Sequence, residues 1–261
     1  MLTVPFLRGK GERYSGSMFP ISDDNPRRLT PVVTVALIGA CCLVYLFQIS
    51  LSPQAGQAAV YSFGMIPSRI FGEAQLSPEL AIIPAWTTIF TSMFMHGGFL
   101  HLLGNMLFLW IFGDNVEDSM GHLRFFLFYL VTGLAAAMTQ GLLSPDSTVP
   151  MIGASGAVSG VLGAYVLLHP QATVRVLIFL GFFITVVHMP AMLTLGIWFL
   201  GQLLSAASTP VGQPGIAFWA HIGGFVAGMA LIGLFKKAEV PLFQPPHSRP
   251  FEIEQRRGPW G

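Results

Sequence analysis

Charge is what this 261-residue chain has least of: 13 Lys and Arg and 12 Asp and Glu make up 10% of its residues, where soluble domains carry about 25%. An ordinary water-soluble globule is thereby excluded. The scarcity is also patterned. Residues 29–68, 80–113, 125–145, 147–174 and 176–235 carry no charged side chain, and each run can hold at least one crossing of ~20 residues. Cysteine is scarce too. Cys41 and Cys42 are adjacent, so they cannot staple distant segments and lack CxxC metal spacing, which leaves two small core residues. No basic cluster with interleaved aromatics occurs, so nucleic acid is not expected as a partner. The first 30 residues lack a short apolar run with a small-residue cleavage site, and no removable signal peptide is expected. What is abundant, 53% apolar residues, predicts an all-α, multi-spanning protein of the lipid bilayer.

Breaks in the apolar pattern place the spans. The first covers 31–51, entered after Arg27-Arg28 and closed by Ser52-Pro53. Residues 52–98 are too interrupted by Gly and Pro for a span, yet rich in Phe, Ile and Met, and read as a large interfacial loop with short helices. Spans two to four cover about 99–113, 124–143 and 151–168, the last closed by His169-Pro170, since proline cannot continue the helical ladder. Prolines at 190, 210 and 214 divide the next uncharged stretch into 176–189, short for a crossing, then 191–207 and 215–235. Two spans plus an in-plane segment are expected there.

Lys and Arg near span ends stay on the cytoplasmic side, which tests this count. With six spans and the N-terminus inside, Arg8, Lys10, Arg13, Arg27, Arg28, Arg124, Arg175, Lys236, Lys237, Arg249, Arg256 and Arg257 lie inside and only Arg69 outside. A seventh span would give seven inside against six outside, almost no bias. The expected organisation is a cytosolic N-terminal tail (1–28), a six-helix domain (29–237) and a cytosolic C-terminal tail (238–261). Short tails without a transit peptide suggest a bacterial inner membrane with both termini cytoplasmic.

The spans still hold a few polar groups: His101 and Asn105 in the second, Ser155 and Ser159 in the fourth, His221 in the sixth. Intramembrane ionisable residues point to function, although interhelical hydrogen bonds of ~0.6 kcal/mol are the bland alternative. Their depth argues for function. At ~1.5 Å per residue, Ser155 lies about 22 Å above Pro170, His221 about 22 Å above Lys236 and His101 about 20 Å above Asp114, one layer in a core ~30 Å thick. Ser155 also lies near the start of its helix, within Gly153-Ala154-Ser155-Gly156 and just after the break at Pro150. A serine hydroxyl needs a base, and histidine is the natural one near neutral pH. His221 is the candidate. His101 and Asn105, at i and i+4 on one face, could stabilise an oxyanion with the helix's first N–H groups. No Asp or Glu occurs in 119–145 or 147–238, so the usual third member of a serine triad is missing and a Ser–His dyad is expected. The faces Gly156-x-x-x-Gly160 with Gly163, and Ala220-x-x-x-Gly224-x-x-x-Gly228, allow close helix approach.

At these residues the chain resembles the rhomboid intramembrane serine proteases. The likeness covers roughly 85–235 and rests on His96-Gly-Gly-Phe-Leu-His101-Leu-Leu-Gly-Asn105, Glu117-Asp-Ser-Met-Gly121, Gly153-Ala-Ser155-Gly156 and Ala220-His221-Ile-Gly-Gly224-Phe-Val-Ala-Gly228, in family order. The resemblance implies a six-transmembrane-helix bundle with a large interfacial first loop. Ser155 would be the nucleophile, His221 the general base, His101 and Asn105 the oxyanion donors, with Glu117 and Gly121 structural. The substrates implied are transmembrane proteins, cut in or near a helix that must locally unwind, with a small side chain before the scissile bond; no cofactor or metal is implied. Two positions depart from the pattern. Thr87 follows Trp86 where many relatives have Arg, and Ser159 stands where some bacterial members stack a Tyr on the histidine. Two other readings stay open: a non-catalytic relative that binds transmembrane helices, against which the intact Ser155 and His221 count, and a channel or transporter, whose ionisable groups would be spread along a path. No motif encodes the oligomeric state.

Overall fold

The computed structural model describes residues 2–6, 14–180, 183–210 and 215–247. Helix α1 (Val32–Ser50) is followed by the loop region, with α2 (Pro53–Phe63), α3 (Pro67–Ile70), α4 (Thr88–Thr91) and two 3-10 turns. Then come α5 (Phe99–Met120), α6 (His122–Leu143), α7 (Ser155–Leu168), α8 (Ala191–Ser208) and α9 (Phe218–Phe235). Helices α1, α5, α6, α8 and α9 are each long and apolar enough to cross a membrane, while α7 is apolar but has 14 residues. The protein is therefore a multi-pass helical membrane protein. Residues 52–98 form short helices, as their Gly and Pro content requires.

The element the sequence reading misses is a β-sheet. Strands β1 (Leu2–Phe6), β2 (Tyr14–Asp23), β3 (Thr173–Leu180) and β4 (Phe183–Pro190) pair antiparallel in that order. The in-plane segment expected at 176–189 is thus the larger part of a hairpin, with Val176 opposite Val187. Its β-branched run, Val174, Val176, Ile178, Ile184, Thr185, Val186 and Val187, fits a pleated, half-buried surface. Alternation is visible in β3: Val174 and Val176 are fully buried and Arg175 between them is exposed. Part of the segment read as an N-terminal tail is instead strand β2, with Pro20 opposite Val176. Past α9 the chain returns to α7, where the N–H groups of Phe243 and Gln244 donate to the carbonyls of Leu167 and Leu168 at 2.7 and 2.9 Å. These satisfy two acceptors that the helix end leaves free. Of the charges used for topology, Arg8, Lys10, Arg13, Arg249, Arg256 and Arg257 lie outside the described residues.

Two devices fix the bundle around the site. At one end of α5 the fully buried Glu117 reaches the start of α1, which has no side-chain cap of its own. Its carboxylate accepts from Val33 N–H at 2.9 Å, Thr34 N–H at 2.8 Å and Thr34 Oγ1 at 2.7 Å, with His122 Nδ1 at 2.5 Å. Asp118 takes the N–H groups of Arg28 and Leu29. Negative charge at a helix N-terminus is favourable, so this segment of α5 anchors α1. At the centre, α7 and α9 touch backbone to backbone. A Cβ on Gly228 would lie 2.0 Å from the Gly160 carbonyl oxygen, and one on Gly163 would lie 2.1 Å from that of Phe225.

Candidate active site

Ser155 is the first residue of α7 and is half-buried; its carbonyl accepts from Ser159 Oγ at 2.6 Å. His221 stands in the first turn of α9, 9% exposed. The tight α7–α9 contact makes these two first turns neighbours: from the position of a Cβ on Gly156, the Ala220 carbonyl oxygen is 3.8 Å away and the Ala220 Cβ 3.9 Å. Among the described residues no hydrogen bond joins Ser155 Oγ to His221. Catalytic contacts of this kind commonly tighten only with substrate in place.

The other flank of Ser155 is held by Gly153 and His101. Gly153 has φ +127°, in the region that side chains other than glycine rarely adopt, and a Cβ there would lie 2.7 Å from His101 Nε2 and 3.7 Å from Ser155 Oγ. Only glycine at 153 lets the imidazole come that close to the backbone beside the serine. His101 Nδ1 accepts from the Gly97 N–H at 3.4 Å. With Nδ1 as acceptor, the ring proton sits on Nε2 and faces Gly153. Asn105, one turn further along α5, is buried, and its Nδ2 has no partner among the described residues. His101 thus stands on the Gly153 flank of Ser155, and Asn105 lies one turn from it along α5 with an unengaged amide donor.

A small cavity of about 20 Å³ is lined among others by Met93, Gly133, Gly153, Gly156, Ala157 and Ala220, including residues that flank Ser155 in the chain. Volume of this order admits about one water-sized group. His101 is backed in turn by His96, whose ring lies 5.2 Å away edge-on and whose backbone N–H and carbonyl are clamped by the Gln48 amide of α1 at 3.0 and 3.3 Å.

Sequence reasoning missed Gln202. This residue of α8 is 8% exposed, and its Oε1 lies 2.7 Å from His221 Nδ1. The one amide side chain in the uncharged 191–207 run was the available signal. Of the two departures noted in the sequence, Thr87 Oγ1 donates locally to the Pro84 carbonyl at 2.6 Å. Ser159 bonds to its own helix rather than to the histidine. Among the described residues, no group of three or more His, Cys, Asp or Glu could hold a metal ion.

The family profile described as "Rhomboid domain" matches residues 84–238. Among curated proteins, the chain is 30% identical over 164 residues to Rhomboid-like protein 11, chloroplastic, of Arabidopsis thaliana, covering 59% of this chain and 54% of that one. RHOMBOID-like protein 12, mitochondrial, of the same plant is 35% identical over 153 residues, covering 52% and 43%. Rhomboid protease GluP of Bacillus subtilis (strain 168) is 40% identical over 79 residues, covering 30% and 15%. The chain spans about half or less of the length of these relatives.

Proposed function

Since the chain belongs to the rhomboid family, a family of intramembrane serine proteases, we propose that it is an active Ser–His endopeptidase cutting membrane-protein substrates in or near their transmembrane helices. The observation that carries this reading is the placement of Ser155 and His221 on adjoining first turns, with His101 Nε2 against Gly153 on the serine's other flank.

In this reading Ser155 Oγ attacks the scissile carbonyl carbon while its proton passes to His221 Nε2. The negative charge on the carbonyl oxygen is met by the Asn105 amide, the His101 Nε2–H and backbone N–H groups at the start of α7. The C–N bond then breaks as imidazolium gives its proton to the leaving amine, and water, deprotonated by the same imidazole, hydrolyses the acyl ester. A helix hides its carbonyls in its own hydrogen bonds, so the substrate must unwind, which residues of poor helix propensity favour. The small cavity beside Gly153 and Gly156 suits a small side chain before the cleaved bond. Charge bias supports both termini on the cytoplasmic side. The named relatives come from plant organelles and a bacterium alike, so topology rather than host membrane is what the pattern supports.

The test is cleavage of a single-span substrate in proteoliposomes. Wild type should release two fragments and Ser155→Ala none. Equal cleavage by the two would remove the proposal, and no cleavage by well-folded wild type of any helix-destabilised substrate would favour the non-catalytic reading.

A further inference from the structure

We propose that Gln202 is the positioning residue that fixes the tautomer and plane of His221, the part a carboxylate plays in an ordinary serine triad. This inference rests on the Ser155–His221 reading above. As general base, His221 must present a lone pair on Nε2, which requires the ring proton on Nδ1 and an acceptor to hold it there. Gln202 Oε1 is that acceptor, 2.7 Å from Nδ1 in a buried contact.

The surroundings of Gln202 show that α8 is built to deliver it. Leu200, Leu203 and Leu204 are 54%, 39% and 63% exposed, while Thr194, Leu195, Gln202 and Ala206 are buried, so the amide belongs to the inward face of a helix that is otherwise outwardly apolar. One turn earlier on that face, Trp198 lies 6.1 Å from the His221 ring at an interplanar angle of 31° and 6.0 Å from Phe225, one turn beyond His221. Phe199 stacks on Phe225 at 4.5 Å. The histidine is thus covered by an indole and pinned by an amide, both from α8.

Chemistry explains why the residue is an amide. No Asp or Glu occurs between 147 and 238. A carboxylate buried in an apolar bundle is disfavoured by desolvation unless strongly paired, whereas a neutral amide can hold an imidazole N–H without carrying charge into the interior. Ser159 is not placed for this work: its hydroxyl donates to the Ser155 carbonyl one turn back, and among the described residues His221 Nδ1 meets the Gln202 amide instead.

The experiment separates hydrogen bonding from packing. Gln202→Met keeps the length and removes the acceptor; Gln202→Glu keeps the acceptor. In proteoliposomes the Met variant should lose about 100-fold in kcat with KM within about twofold, and the Glu variant should recover most of the loss. Wild-type kcat in the Met variant, or a Glu variant no better than Met, overturns the inference. Ring 15N shifts of His221 in nanodiscs, assigned by comparison with His221→Ala, give a readout independent of variant folding. Protonated Nδ1 with free Nε2 in the neutral wild type supports the role, and the opposite tautomer overturns it. If Ser155→Ala still cleaves, the protease reading itself fails. If Ser155→Ala is dead while Gln202→Met keeps wild-type kcat, only the present inference fails.

Discussion

The carbonyl oxygen of Gly156 lies against the α-carbon of Gly224, close enough that a Cβ on Gly224 would meet it at 2.0 Å. This contact, one residue after Ser155 and three after His221, sets how near the two side chains stand. A methyl group there must push α9 away from α7. We expect Gly224→Ala to lose about 1–3 kcal/mol of stability and, at temperatures where it stays folded, most of its activity. Gly233→Ala, with nothing within 4 Å of the new methyl, should match wild type in both. Thermal unfolding in detergent together with cleavage rate checks the pair; equal behaviour of the two variants contradicts the prediction.

In the proposed mechanism Asn105 and Gly153 serve the developing negative charge. Asn105→Ala should lower kcat by about 100- to 1,000-fold with little change in KM and in melting temperature. Gly153→Ala should be as damaging for a different reason: its φ of +127° strains any side chain, and the methyl would displace His101. Steady-state kinetics on a fluorogenic membrane substrate reads both.

Glu117 caps α1 through Val33 and Thr34. Glu117→Ala leaves these buried donors unpaired, at about 2–4 kcal/mol, and should lower the unfolding temperature more than it lowers kcat for the protein that remains folded. Limited proteolysis should then cut between the N-terminal segment and α1 in the variant first.

Asp23, at the end of β2, accepts a hydrogen bond from Tyr165 of α7 at 2.5 Å. Burial pushes its carboxyl up from 3.8 to about 7, the Tyr165 hydrogen bond opposing the shift and the nearby Asp114 adding to it. A raised pKa in the folded state means stability fully present below the unfolded value and lost as pH climbs through about 7. Docking of β2 should therefore weaken between pH 4 and 7. Hydrogen exchange of the β2 amides, corrected for intrinsic rate, should show more opening at pH 8 than at pH 5, and Asp23→Asn should flatten the difference.

The bundle was legible in the sequence because the bilayer imposes length and charge rules on every span, and the boundaries of α1, α6 and α8 fall within two residues of their expected places. Helix α5 runs on to Met120, past Asp114, Glu117 and Asp118, since those acids have partners in Arg27, in the start of α1 and in Arg28 and Leu29. Ser155, His221 and His101 stand out in the sequence because each is a polar group in an apolar span at a common depth, with Asn105 one turn along from His101. Gln202 could not be read in the same way, since its meaning depends on which face of α8 meets α9, a property of packing. The sheet was hidden because β2 and β3 are separated by the seven helices α1 to α7, and nothing local to 14–23 announces a partner at 173–180.

The central claim, that Ser155 is a nucleophile activated by His221, is tested most directly by intact-mass analysis after exposure to a fluorophosphonate probe. The account predicts one adduct, mapping to the peptide that contains Ser155 and lost in both Ser155→Ala and His221→Ala. An adduct that persists in folded Ser155→Ala, or equal labelling of wild type and His221→Ala, would contradict it.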